Sequence, residues 1–92
     1  MIRSFRNKGL RRFAENGNSS KLSVRNIDRL VIILRQLDAA KVPEQMNLPG
    51  FFFHSLKGSE KGRFSVRVTG NFRLTFGWDG TDAIDIDLED YH

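Results

Sequence analysis

The side chains of this 92-residue chain best suited to chemistry are two histidines, one tyrosine and a scatter of basic residues around them. His54 follows the run Phe51-Phe52-Phe53, Lys57-Gly58 comes shortly after it, Arg67 and Arg73 flank Gly70-Asn71, and the sequence closes on Asp90-Tyr91-His92. Such groups can cleave RNA without a metal ion. The 2′-hydroxyl must lose a proton to attack the adjacent phosphate, and the 5′-oxygen must gain one as it leaves. Imidazole suits either task near neutral pH. A guanidinium stabilises the extra negative charge on pentacoordinate phosphorus. A Tyr ring can stack on a splayed base, and dependence on the 2′-hydroxyl would restrict the chemistry to RNA.

Each of these residues has a plainer role. His54 beside three Phe could be a sheet histidine satisfied by a backbone carbonyl, and Arg67 and Arg73 could solvate an exposed strand face opposite cross-strand acids. Asp90-Tyr91-His92 could be a frayed end. Asp85, Asp87 and Glu89 look like a metal site, but they alternate with Ile84, Ile86 and Leu88 as the solvated face of a strand does.

The elements that must position these groups divide at Phe51. Residues 1–5 read as a short strand. Residues 8–15 have helical spacing through Leu10 and Phe13, stopped by Asn16-Gly17-Asn18. A second helix is expected behind Ser23 as N-cap, with Leu22 and Ile27 stapled across it. Ile27, Leu30, Val31, Leu34 and Leu37 line its apolar face, with Arg25, Asp28, Arg29, Arg35 and Gln36 opposite and Ile32 exposed among them. Pro43 and Pro49-Gly50 bracket the loop that follows. Beyond it the period becomes two: Phe64, Val66 and Val68, then Phe72, Leu74, Phe76 and Trp78, then Ile84, Ile86 and Leu88, separated by turn signals at Gly70-Asn71 and Asp79-Gly80. The expectation is a single α+β domain over residues 1–92. Two helices pack on one face of a small antiparallel sheet, mixed at its N-terminal strand. The other face would carry His54, Arg67 and Arg73 with the C-terminal residues beside them.

Composition narrows the classes. A chain this short holds one small core and no buried cofactor chamber. The absence of Cys excludes disulfides and thiolate metal sites and suits the cytoplasm. The longest aliphatic run, residues 30–34, is far too short to span a membrane, and no apolar segment follows the basic start as in a secretory signal. Charge is unevenly distributed. Residues 1–75 hold all 15 Lys and Arg against five acids, a balance of +10, whereas residues 76–92 hold six acids and no base. A basic body suits a polyanionic partner, although ordinary solvated charge looks the same in sequence.

Taken together, Met1-Ile2-Arg3-Ser4-Phe5, His54-Ser55-Leu56-Lys57-Gly58, Ser65-Val66-Arg67-Val68, Asn71-Phe72-Arg73-Leu74-Thr75-Phe76 and Glu89-Asp90-Tyr91-His92 resemble the HigB-type toxins of the RelE/ParE superfamily. The resemblance runs through essentially the whole chain, and it implies a compact sheet with two helices on one face. The implied activity is a toxin-antitoxin endoribonuclease that cuts mRNA in the A site of the small ribosomal subunit, with no metal and no organic cofactor. It also implies a HigA-like helix-turn-helix antitoxin as partner, with operator DNA contacted only through the toxin–antitoxin complex. By position, His54, Asp90, Tyr91 and His92 become catalytic candidates, Arg73 the phosphate-stabilising arginine, and Lys57 and Asn71 substrate-binding neighbours. Arg67 rests on the strand argument alone. Lys8, Arg11, Arg12, Arg25 and Arg29 are the expected contacts to ribosomal RNA. Ser55 stands where relatives often carry Pro, and Phe72 where many carry Trp. Two other functions fit the same fold: a ParE-like poison of gyrase, whose relatives generally lack the His and Tyr cluster, and a non-catalytic RNA- or ribosome-binding module.

Overall fold

A computed structural model describes residues 1–90 of the chain. Two helices come first, α1 (Lys8–Asn16) and α2 (Ile27–Ala39), followed by strands β1 (His54–Ser55), β2 (Arg63–Arg67), β3 (Phe72–Asp79) and β4 (Asp82–Asp90). The strands form one antiparallel sheet in the order β1-β2-β3-β4. Residues 1–5 add single parallel bridges to its far edge, Ile2 beside Ala83 and Phe5 beside Ile86, so the sheet is mixed there without a full fifth strand.

Local chemistry sets the helix ends. Asn7 caps α1 by accepting from the Leu10 amide at 2.8 Å, and Gly17, at φ 76°, ends it with its own N–H on the Phe13 carbonyl. The second helix begins later than expected. Asn26, not Ser23, is its N-cap, with its side-chain oxygen on the Arg29 amide at 3.1 Å. Val24 is buried and anchors the incoming segment to the core, so the helix starts only where Asn26 can cap it. Leu22 and Ile27 still both pack against the core. Ile32 is exposed as expected, but Ile33, beside it, is fully buried, while Val31 is only half-buried.

The helices cover one face of the sheet. Leu10, Leu30, Ile33 and Leu37 are fully buried against Val66, Leu74, Phe76, Ala83 and Ile86. Phe53, Phe64 and Phe76 stack in series at centroid spacings of 5.6 and 5.7 Å, and Trp78 closes the row edge-on.

The expected alternation along β4 fails at one place. Two-residue hairpins pair odd positions with even ones. A regular hairpin after β3 would therefore turn Ile84, Ile86 and Leu88 away from the helices whenever Leu74 and Phe76 face them. The conflict is resolved by a β-bulge: Thr75 pairs with Asp87, yet Gly77 pairs with Ile84, so β4 spends an extra residue. Asp85 takes up that residue at φ 51°. Beyond it Ile86 and Leu88 point to the core, whereas Ile84 stays on the opposite face with Gly77, where a Cβ on Gly77 would lie 3.2 Å from the Ile84 side chain. The bulge also advances the register by one, and that places Glu89, not Leu88, opposite Arg73.

Candidate active site

Cross-strand pairing lays the open face out in rows. His54 lies opposite Ser65, Ser65 opposite Thr75, and Thr75 opposite Asp87; in the next row Arg67 faces Arg73 and Arg73 faces Glu89. Phe52, His54, Ser65, Val66, Arg67 and Arg73 line a cleft of about 170 Å³, room for a phosphate or a flat ring. His54 is exposed on a strand of only two residues, but its segment is fastened on both sides. The Arg67 amide donates to the Phe51 carbonyl at 2.7 Å, and the Leu56 amide donates to the Arg63 carbonyl at 2.8 Å.

Two arginines directly across a strand pair repel one another. Each has something to hold it. The Arg73 guanidinium donates to Glu89 Oε1 at 3.1 Å, and the Arg67 guanidinium lies 4.2 Å from the centre of the Phe52 ring. Glu89 is itself held. Its other oxygen accepts from the Thr75 hydroxyl at 2.7 Å, and that hydroxyl accepts from Arg63 at 3.0 Å. Arg63 is buried and anchored: it donates to the Asp85 carbonyl at 2.9 Å, and its Nε lies 3.5 Å from the Glu60 carboxylate. A polar chain therefore runs from the bulge at Asp85 through Arg63, Thr75 and Glu89 to Arg73, fixing the last guanidinium beside the cleft.

The protonation states follow this chain. Burial alone would push the Glu89 carboxyl up. The hydrogen bonds from Thr75 and Arg73, with the charges of Arg73 and Arg63, outweigh burial and hold it below the usual glutamate value. Arg63 is shifted down, first by burial and then by the nearby Arg6 charge, against the pull of Glu60, Glu89 and Asp87. Glu89 stays ionised, as the partner of a charged guanidinium must.

The remaining candidates are dispersed. Lys57 is exposed at the start of a short 3₁₀ turn after β1, and Asn71 is exposed in the β2–β3 turn. Asp90 pairs with Phe72 at the end of β4, so strand alternation puts it on the face away from Arg73 and Glu89, outside the cleft. Tyr91 and His92 lie outside the described residues. Lys8, Arg11, Arg12 and Arg25 are exposed on or before the helices, on the layer opposite the cleft. Arg29 differs from them. It is half-buried, donates to the carbonyls of Gly50 (2.5 Å) and Arg67 (2.9 Å), and stacks over Phe51, so it ties α2 to the end of β2.

Sequence reasoning passed over Arg63, Thr75 and Phe52 and read Glu89 as part of a solvated strand face. Glu89 was hidden by the bulge, because a regular register pairs Arg73 with residue 88. Thr75 and Arg63 become visible once the open-face rows are written out from that register. Phe52 carried no signal apart from its place beside His54.

A small sheet with two helices on one face and a basic cleft on the other is the architecture of a RelE-type toxin. A mutant of YafQ from E. coli superposes with a TM-score of 0.62 at 13% identity, covering 98% of this chain and 93% of that one, which shows the shared fold. Sequence goes further. A model for the HigB-like toxins, described as RelE-like toxins of type II toxin-antitoxin systems, matches residues 3–92, and the chain belongs to that family. It is similar to Endoribonuclease HigB of Proteus vulgaris, 36% identical over 92 residues and the full length of both chains. It is also similar to Toxin HigB-1 of Vibrio cholerae, 34% identical over 80 residues, 85% of this chain and 84% of that one.

Proposed function

We propose that this endoribonuclease toxin cuts mRNA in the A site of the ribosome by metal-free acid–base chemistry, and that a HigA-like antitoxin neutralises it in the cytoplasm. The observation that carries the reading is the Arg73 guanidinium, held by the Glu89, Thr75 and Arg63 chain in a cleft it shares with exposed His54 and Arg67. Arg73, with Arg67 beside it, stabilises the charge that builds on phosphorus. His54 transfers a proton to or from the reacting oxygens. Tyr91 and His92 supply a stacking ring and a second proton-transfer group, while Asp90, on the face away from the cleft, takes no direct part. Lys57 and Asn71 border the substrate path, and Lys8, Arg11, Arg12 and Arg25 dock ribosomal RNA from the helix layer. Operator DNA is reached only through the antitoxin complex.

The small open cleft motivates the ribosome requirement. A groove of this size holds one nucleotide's chemistry but cannot keep a flexible RNA in line for attack, and orientation is a large share of catalysis. Purified protein is incubated with mRNA alone and with the same mRNA on translating ribosomes. The expected result is cleavage within codons on the ribosome and little on naked RNA. Efficient cutting of naked RNA at matched concentration contradicts the ribosome requirement.

A further inference from the structure

Three consecutive Phe residues meet different fates. Phe51 is buried, with Arg29 over its ring, and Phe53 stacks on Phe64. Packing explains both. Phe52 between them is 54% exposed and contributes nothing to the core. Its backbone is left-handed, at φ 51°, a conformation that costs a bulky side chain energy and persists only where its surroundings enforce it. They do so here: the Phe51 carbonyl accepts from the Arg67 amide at 2.7 Å, and the Phe51 amide donates to the Leu48 carbonyl at 3.0 Å. The effect is to turn an aromatic ring out of the core and onto the rim of the cleft that holds His54, Ser65, Arg67 and Arg73.

Arg67 completes the arrangement. Its guanidinium is 4.2 Å from the Phe52 ring centre, and its buried Nε donates to no acceptor among the described residues. A stacked pair of aromatic ring and guanidinium therefore borders a basic cleft. Flat π surfaces of this kind bind unstacked bases in single-stranded RNA with little preference among them, because every base presents a π face.

We propose that Phe52, with Arg67 stacked on it, is a binding platform for one unstacked nucleobase of the RNA, next to the phosphate held by Arg73. The assignment adds a residue to the ribonuclease reading and rests on that reading for the identity of the cleft. A base seated on Phe52 leaves its own phosphate inside the cleft, so stacking would set which nucleotide presents its 2′-hydroxyl for attack.

The test measures binding, which separates it from catalysis. A short single-stranded RNA and ribosomes programmed with the same sequence are titrated with the full-length protein at low salt. Each codon position is replaced in turn by an abasic nucleotide. The parent should lose roughly tenfold to a hundredfold in affinity at one position, the worth of one stacked base. Phe52→Leu should bind the intact RNA as weakly as the parent binds the abasic one and be indifferent to the abasic change, and Phe52→Trp should restore the parent's behaviour. Equal binding of abasic and intact RNA by the parent at every position overturns the proposal, a result that needs no variant to fold. So does an abasic penalty that Phe52→Leu retains, or the absence of RNA binding in both arms. A Phe52-dependent abasic penalty without RNA cleavage on ribosomes would leave the platform standing and remove the nuclease reading. Cleavage with no such penalty would do the reverse.

Discussion

On the helix side of the sheet, Val66, Leu74, Phe76 and Ile86 are fully buried and belong to the apolar core cluster. One residue along the same strands, the opposite face holds Ser65, Arg67, Arg73, Thr75, Asp87 and Glu89. The first face stabilises the fold by removing apolar area from water, and a methylene lost anywhere on it costs stability. The second is also partly buried, but its order comes from directed hydrogen bonds between charges: Arg63 to Thr75, Thr75 to Glu89, Arg73 to Glu89. Such bonds add little net stability and much geometric definition. The helix face therefore decides whether the chain folds, and the open face decides where a guanidinium points.

The sharpest way to break this division is one substitution on each face. Phe76→Ala removes a fully buried ring from the middle of the aromatic row and should cost about 3–5 kcal/mol, enough to unfold much of so small a domain. Arg73→Ala, three residues away, should lower the melting temperature far less while single-turnover cleavage on ribosomes falls on the order of a hundredfold or more. Thermal denaturation and a quenched cleavage assay on the two proteins decide the matter. A folded Phe76→Ala protein, or an Arg73→Ala protein with full activity, would show that the two faces do not divide stability and function in this way.

The C-terminal residues sharpen the comparison from another side. Among the described residues Leu88 is the last one packed on the core, so deleting Tyr91 and His92 should leave a folded protein by circular dichroism that still sediments with ribosomes. On the nuclease reading the same deletion removes a stacking ring and a proton-transfer group. Growth inhibition on expression without antitoxin should then disappear. Undiminished toxicity would strike both residues from the mechanism and leave His54 and Arg73 to account for it.

A smaller effect is expected within the polar chain. Thr75→Val keeps the shape of the side chain and removes the hydroxyl that joins Arg63 to Glu89. Glu89 loses one of the bonds that keep its carboxyl acidic, so its pKa should rise while the Arg73 pair survives. Cleavage should drop about tenfold, in proportion to one hydrogen bond. Linkage gives a second readout. Glu89 binds its proton more weakly folded than unfolded, so its contribution to stability is full above the ordinary carboxylate pKa. It is lost as pH falls through the lower, folded value. Glu89→Gln should flatten that acid limb of the stability profile, and Thr75→Val should move it to higher pH. An acid limb that neither change alters would show Glu89 to be uncoupled from the chain.

How much of this was legible in the residues follows from the same two faces. Period-two patterning marked the strands, and capping chemistry marked α1, because both signals are local. The open face depended on register, and register turned on a bulge. Even-numbered apolar residues on both β3 and β4 cannot share a face in a regular hairpin, so an irregularity was implied, but not its position. Only the structure puts it at Asp85 and so brings Glu89 to Arg73. Asn26 displaced Ser23 for a tertiary reason, the burial of Val24. That His54, Arg67 and Arg73 share the open face was legible because alternation sufficed, whereas the outward turn of Phe52 depends on a left-handed residue that nothing in Phe51-Phe52-Phe53 announces.

The smallest predicted effects concern the basic helix layer, where Arg29 and Arg12 differ. Both were read as docking residues from charge alone. Arg12 is exposed, and Arg12→Ala should leave stability within experimental error while flattening the salt dependence of ribosome binding by about one unit of log–log slope. Lys8→Ala should do the same. Arg29 already donates to the Gly50 and Arg67 carbonyls, the anchor points on either side of Phe52 and the β2 end. Arg29→Ala should therefore lower the melting temperature and leave the salt slope nearly unchanged, because its charge is committed within the protein. Salt-series co-sedimentation and a thermal melt on the three variants separate the cases. Equal slopes for Arg12→Ala and the parent would remove the helix layer from ribosome docking and leave the cleft side as the face that meets RNA.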